Sequence, residues 1–315
     1  MNEVEFDKAL RPKMLVDFTG QPKLVESLKI SVAAAKHRGD PLDHILCVGQ
    51  PGLGKTSLAN ILANEMGSKI IVVNAPSIKT KGELAGVLTR LEEGDILFID
   101  EIHRLSPVVE EILYPVMEDF KLEVIVGKGV NAEAVVMKLP SFTLIGATTL
   151  AGMLTKPLLD RFGEICEFEP YSAEDLSSIV LRSAKLMGLE FDSVAANVLA
   201  HRSKGTPRIA NRILRRVRDH VQFNKSNFVD VNAVKATCDR LGIDHLGLDK
   251  TSRKLLSVLV EKARPIGLDL LASTLGESKA TIEEICEPYL IRNGFIERTT
   301  QGRIATKKAK DYVKV

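Results

Sequence analysis

The residues best suited to chemistry in this sequence are Gly49-Gln-Pro-Gly-Leu-Gly54-Lys55-Thr56, which satisfy the spacing GxxxxGK followed by Ser or Thr. Such a loop wraps a chain of phosphates. Gly52 and Gly54 let backbone N–H groups curl inward without a clashing Cβ. Lys55 then reaches the β- and γ-phosphates, and the Thr56 hydroxyl ligates Mg²⁺. The apolar run Ile45–Val48 before the loop and the helical pattern Lys55–Met66 after it supply the required strand, loop and helix. The helix also points the positive end of its dipole at the anion.

A second group lies forty-five residues beyond Lys55, in Ile96-Leu-Phe-Ile-Asp100-Glu101. Four consecutive apolar residues predict a strand buried on both faces of a parallel sheet. Asp100 at its end is placed to hold Mg²⁺, and Glu101 to orient and polarise an attacking water. His103 follows closely and reads as a polar residue near the nucleotide or a neighbouring subunit, Glu101 being the better-placed base. Gly146-Ala-Thr148-Thr149 closes a further strand, with Thr148 the candidate γ-phosphate sensor and an ordinary strand threonine the competing reading. Two arginines complete the set. Arg161, in Asp160-Arg-Phe162, either pairs on its own surface or acts as a finger in a neighbour's site, stabilising charge in the transition state. Arg208 follows Pro207 at a helix start, where it can touch the γ-phosphate and report its loss.

These groups need a scaffold that brings strand ends together, and the first 170 residues alternate apolar runs with amphipathic stretches as an α/β domain does. Strands are predicted at His44–Val48, Ile70–Val73, Ile96–Ile99 and Phe142–Ala147, with helices such as Lys55–Met66 and Pro107–Asp119 between them. Alternating apolar residues at Leu122, Val124 and Val126, then Val135, Met137 and Leu139, around Gly127 and Gly129 predict an inserted β-hairpin over 121–139. From Ser172, an N-cap with acidic residues in the following turn, to about Leu241 the pattern is helical. Ile209, Ile213, Val217 and Val221 form an apolar stripe there. The last unit reads as helices near 249–262, 267–275 and 278–293 and two short strands around Gly302, the order of a winged helix. The expected domains are thus 1–170, 171–243 and 244–315.

Composition sets the class. The chain has 315 residues, 45% hydrophobic and 27% charged, with a net charge of +2. No run approaches the roughly 20 apolar residues of a membrane span. Residues 1–10 carry three acidic residues and no apolar core of a signal peptide, so a cytoplasmic protein is expected. Four scattered cysteines support neither a zinc site nor a disulfide framework. A nucleic-acid partner therefore needs a local basic patch, and residues 288–315 hold seven Lys or Arg against two Asp or Glu. A GTPase is disfavoured because Asn224-Lys-Ser-Asn227 lacks the Asp of a guanine-reading motif.

Taken in order, Leu10-Arg-Pro-Lys13, Phe18-Thr-Gly-Gln21, Gly49–Thr56, Asp100-Glu-Ile-His-Arg-Leu-Ser-Pro107, Gly146–Thr149, Asp160-Arg-Phe162, Gly205-Thr-Pro-Arg208, Gly267-Leu-Asp269 and Glu287-Pro-Tyr-Leu290 resemble the RuvB family of AAA+ ATPases. The resemblance implies an AAA+ P-loop domain, a helical lid and a winged-helix DNA-binding domain. It also implies a homo-hexameric, ATP- and Mg²⁺-dependent motor on double-stranded DNA, driving branch migration of Holliday junctions in recombination, repair and the SOS response. RuvA is the implied partner through the 121–139 hairpin, with RuvC as a further one. By the same resemblance Leu10 and Arg11 lie over the adenine. Gly52, Gly54, Lys55, Thr56 and Ser57 form the phosphate loop, and Glu118, Asp119, Phe120 and Tyr171 add nucleotide contacts. Arg161 is the finger, Arg208 the second sensor, and Arg298 and Arg303 contact DNA. Gln301, Leu150 and Leu159 depart from basic residues usual in the family. A clamp-loader-type ATPase is the alternative, set apart by its helical collar. A sequence-reading regulator is disfavoured because Glu283, Glu284 and Glu287 on the candidate recognition helix would repel phosphates.

Overall fold

The computed structural model describes residues 10–126 and 133–314; residues 1–9, residues 127–132 with the Gly127 and Gly129 of the sequence reading, and residue 315 lie outside them. The described chain divides into two compact units, 10–175 with 206–208, and 176–205 with 209–314.

The first unit is built on a parallel sheet whose strands are β1 (Ile45–Val48), β2 (Ile70–Asn74), β3 (Ile96–Asp100), β6 (Thr143–Thr148) and β7 (Glu164–Glu167), in the order β2-β3-β6-β1-β7. Ile96, Leu97, Phe98 and Ile99 are at most 1% exposed, as a strand covered on both faces requires. Each such side chain contributes about 1.5–3 kcal/mol of burial. The strand β7 escaped the sequence pattern because Glu164 and Glu167 frame only Ile165 and Cys166, and Ile165, on the sheet edge, is half exposed. Helix α1 (Pro22–Arg38) precedes β1, and α2 (Lys55–Met66), α3 (Lys81–Leu88) and α4 (Pro107–Asp119) lie between later strands, with a short turn of helix at Lys156–Leu159 before β7.

The chain leaves β1 toward β2 on one side and leaves β6 toward β7 on the other. A crevice opens at the carboxyl ends of strands where connections diverge in this way, and ligands of open α/β sheets bind there. The predicted insertion is an antiparallel hairpin of β4 (Lys121–Val126) and β5 (Glu133–Lys138). Leu122 and Leu139 anchor its base in the core, while Val135, Val136 and Met137 are exposed.

In the second unit, helices Ala173–Leu186, Ser193–His201, Pro207–Phe223 and Val231–Arg240 are joined by a two-residue parallel bridge of Glu190–Phe191 with Phe228–Val229, which the all-helical reading missed. The buried stripe of Pro207–Phe223 is Ala210, Ile213, Leu214, Val217 and Val221; Ile209, expected in it, is only partly covered. The chain continues through helices Lys250–Lys262 and Leu268–Leu275, a widened π-helical turn at Thr281–Cys286 and the helix Glu287–Arg292. It ends in two antiparallel strands, Ile296–Thr299 and Gly302–Ala305, and a helix, Lys307–Val313, that the sequence reading left out. Leu255, Leu259, Leu271, Ile282, Leu290 and Ile296 form the core of this part. Among the described residues no helix is long and apolar enough to cross a membrane.

Candidate nucleotide site

The loop 49–54 sits where β1 hands over to α2. Gly52 and Gly54 have φ of +86° and +113°, backbone conformations that an L side chain rarely adopts. Gly52 has a second constraint, because a Cβ there would meet Thr206 Cγ2 at 2.9 Å and Arg208 Cβ at 2.8 Å. Arg208, the expected second sensor, is therefore packed against the loop, and its N–H donates to Gly52 O at 3.4 Å. Behind the loop, the Tyr171 hydroxyl donates to Leu53 O at 3.0 Å, and the Phe18 ring lies against Gly54. Leu10 and Tyr171 are buried and Arg11 is exposed. The adjoining segment is fastened to α2 through Asn64 Nδ2, which donates to Lys13 O, and Leu15 N–H, which donates to Glu65 Oε1.

Lys55 is 7% exposed, and its Nζ donates to Gly49 O and Gln50 O at 2.5 and 3.1 Å. Burial pushes its pKa down, partly offset by the Glu101 and Asp100 carboxylates, while Arg208 adds to the depression. Asp100 pairs in register with Asn74 at the end of β3, and its Oδ1 accepts the Glu101 N–H. Glu101 itself is left-handed, φ +53°, an uncommon state for a non-glycine residue of the kind found at functional sites. The turn Ile102–Arg104 then packs Ile102 onto the sheet beside Gly146, where an added Cβ would meet Ile102 Cδ1 at 3.0 Å.

Thr148, the sequence candidate for the γ-phosphate sensor, is completely buried. Its Oγ1 accepts the Leu150 N–H at 2.9 Å and hydrogen-bonds His103 Nδ1 at 2.9 Å. Thr149, half-buried, is the one whose hydroxyl faces the Glu101 carboxylate, 3.5 Å from Glu101 Oε2. Sequence alone could not separate adjacent threonines, because strand alternation decides which one points inward.

Arg161, Glu118, Asp119 and Phe120 are not brought to Lys55. They stand at the amino edge of the sheet, one strand length or roughly 15 Å from the loop. Gly163 N–H, two residues after Arg161, donates to His44 O just before β1, and Met117 O binds His44 Nε2 at 3.0 Å. Phe120 stacks edge-on against Phe142 and His44. Arg161 lies over the Tyr114 ring, pairs with Glu118 at 3.0 Å and donates to Pro157 O at 2.6 Å. Glu118, Asp119 and Phe120 are therefore not brought to the phosphate loop of their own chain, and Arg161, expected to act in a neighbour's site, is not brought there either.

In the winged part, Glu287 is fully buried and is gripped by both DNA-contact candidates. Arg303 Nε donates to its Oε1 at 2.6 Å and Arg298 Nε to its Oε2 at 2.7 Å, and Arg303 also pairs with Glu283 at 2.9 Å. The Arg303 side chain is 13% exposed and the Arg298 side chain 51%. Glu283 and Glu287, read from sequence as repelling a phosphate-lined groove, are instead neutralised within the fold. All four cysteines are buried and free.

Comparison with known proteins matches this architecture along its length. The sequence fits the Holliday junction DNA helicase RuvB P-loop domain over residues 10–168, the RuvB AAA lid domain over 171–244 and the RuvB C-terminal winged helix domain over 245–314. It is similar to the Thermotoga maritima RuvB Holliday junction branch migration motor, at 44% identity over 97% of this chain and 98% of that chain, TM-score 0.87. Two point-mutant structures of RuvB from the same organism match at 43% and 44% identity, over 96% and 97% of this chain and 98% of each of theirs, both with TM-score 0.89. The third domain is a winged helix where a clamp loader carries a collar, and the chain belongs to the RuvB family of P-loop ATPases.

Proposed function

We propose that this chain is the ATP-hydrolysing subunit of a motor that drives branch migration of Holliday junctions, working between subunits of a homo-hexameric ring on duplex DNA. The reading rests on one observation above all: parallel register puts the phosphate loop after β1 and the Asp100–Glu101 pair at the end of β3 on the same carboxyl edge of the sheet, with Arg208 packed on Gly52 of that loop. Lys55 Nζ donates to two main-chain carbonyls, Gly49 O and Gln50 O, that a phosphate can replace, and gains charge-assisted bonds when it does. Glu101 accepts a proton from, and aims, the water that attacks the γ-phosphate. Thr149 senses the γ-phosphate beside it, and Arg208 senses it from the helix that begins at Pro207. Phe18, Leu10 and Tyr171 supply the apolar wall for the base.

Among the described residues no three His, Cys, Asp or Glu side chains form a metal cage. A hydroxyl and a carboxylate, Thr56 and Asp100, suit a Mg²⁺ that is held mainly by phosphate oxygens and water. When bound, that ion neutralises charge on the phosphates.

The amino-edge position of Arg161 supports a role in trans, since a side chain cannot reach its own loop across the length of a strand. Glu118 and Asp119 belong to the same inter-subunit face. In the winged part Arg298 is the phosphate contact and Arg303 chiefly holds Glu287. The exposed Val135, Val136 and Met137 suit an apolar protein partner such as RuvA. Functionally the chain has an ATPase domain, a lid and a winged head, bounded near 170 and 243.

Lys55→Ala tests the site directly. ATP hydrolysis is expected to vanish from a coupled-enzyme assay while thermal stability holds; turnover within a few-fold of the parent would refute the reading.

A further inference from the structure

His103 is the buried polar group at this site that no role above uses. Its side chain is 7% exposed, and Nδ1 lies 2.9 Å from Thr148 Oγ1 and 3.3 Å from Glu101 Oε2. One nitrogen thus sits between the end of β6 and the end of β3. The Thr148 hydroxyl already accepts the Leu150 N–H at 2.9 Å, which ties it to the turn that carries Thr149. Glu101, left-handed and 30% exposed, needs a partner to select one orientation of its carboxylate. The turn Ile102–Arg104 is rigid enough to provide it, closed by Arg104 N–H to Glu101 O at 2.8 Å and pinned by buried Ile102.

We propose that His103 is a positioning residue for hydrolysis, holding the Glu101 carboxylate through Nδ1 and coupling its orientation to the Thr148–Thr149 turn. The inference rests on the ATPase reading above. A displacement of that turn moves Thr148 Oγ1, and the imidazole passes the shift to Glu101. The base is thereby aimed only in one state of the turn. An asparagine places a polar atom close to where Nδ1 stands, whereas alanine and leucine place none.

The test uses the full chain with single-turnover ATP hydrolysis and equilibrium binding of a fluorescent ATP analogue. His103→Ala and His103→Leu are expected to lower the hydrolysis rate about 10- to 100-fold, the scale of a misaimed catalytic group, with nucleotide affinity unchanged within two-fold. His103→Asn is expected to recover most of the rate. In a Glu101→Gln background His103→Ala should add less than two-fold. Nucleotide affinity falling in step with rate, no rescue by asparagine, or full additivity with Glu101→Gln each overturns the proposal. Parent protein that binds ATP but never hydrolyses it would instead defeat the ATPase reading.

Discussion

The two edges of the five-stranded sheet use charge in different ways. At the carboxyl edge Lys55 is held by the carbonyls of Gly49 and Gln50 rather than by a carboxylate, although the Glu101 and Asp100 carboxylates act on its charge. At the amino edge Arg161 is paired with Glu118 and stacked on Tyr114, and His44 is locked between two main-chain groups. A charge left to main-chain partners is ready for an incoming anion; one with a carboxylate partner serves architecture until something competes for it. The winged part repeats the second pattern, with Glu287 saturating Arg298 and Arg303.

Arg161 is where this contrast breaks most easily. If its pairing with Glu118 is exchanged for a neighbour's nucleotide, Arg161→Ala will lower ATPase turnover of the assembled protein about 10³-fold or more. Mixing it with Lys55→Ala subunits will restore part of the activity. Undiminished turnover in Arg161→Ala alone would make the amino edge purely structural.

The winged part sharpens the contrast with a smaller effect. Arg303→Ala is expected to cost about 2–3 kcal/mol in urea unfolding, below the usual range for breaking a buried pair because Arg298 still reaches Glu287. Arg298→Ala should cost less than about 1 kcal/mol, yet weaken binding to duplex DNA and lower its salt slope by about 1. The reverse pattern would exchange the two roles.

His44 gives the smallest effect. Leu144 N–H donates to its Nδ1 at 2.9 Å, so the ring is neutral with its proton on Nε2, facing Met117 O. Burial depresses its pKa below the ordinary 6.5, outweighing the Met117 carbonyl and Asp43. The unfolded chain therefore binds a proton more readily, and the stability tied to neutral His44 is full above about pH 6.5 and declines as pH falls below it. The slope is at most about 1.4 kcal/mol per pH unit, and His44→Gln should flatten it in melting curves taken from pH 7 to 5. An unchanged slope would assign the effect elsewhere.

The phosphate loop, the acidic strand end and the strands that carry them were legible because each is a local pattern: glycines where φ must be positive, four apolar residues where a strand is covered on both faces. Pairings between distant residues were not. Nothing in the spacing of Arg303 and Glu287 shows that one neutralises the other, sixteen residues apart. Nor does a pair of adjacent threonines reveal which one the strand turns inward. The edge strand β7 was missed for a related reason, since a strand with one neighbour needs too few apolar residues to stand out.

By itself the sequence determined what chemistry is present and which elements carry it, because motif spacing and apolar periodicity act over a few residues. Only the tertiary structure decided who faces whom. Strand order puts Arg161 a full strand length from its own Lys55, alternation turns Thr149 rather than Thr148 toward Glu101, and packing of the 102–104 turn on Gly146 sets His103 between them. Those outcomes depend on contacts between segments tens of residues apart, which no local pattern encodes.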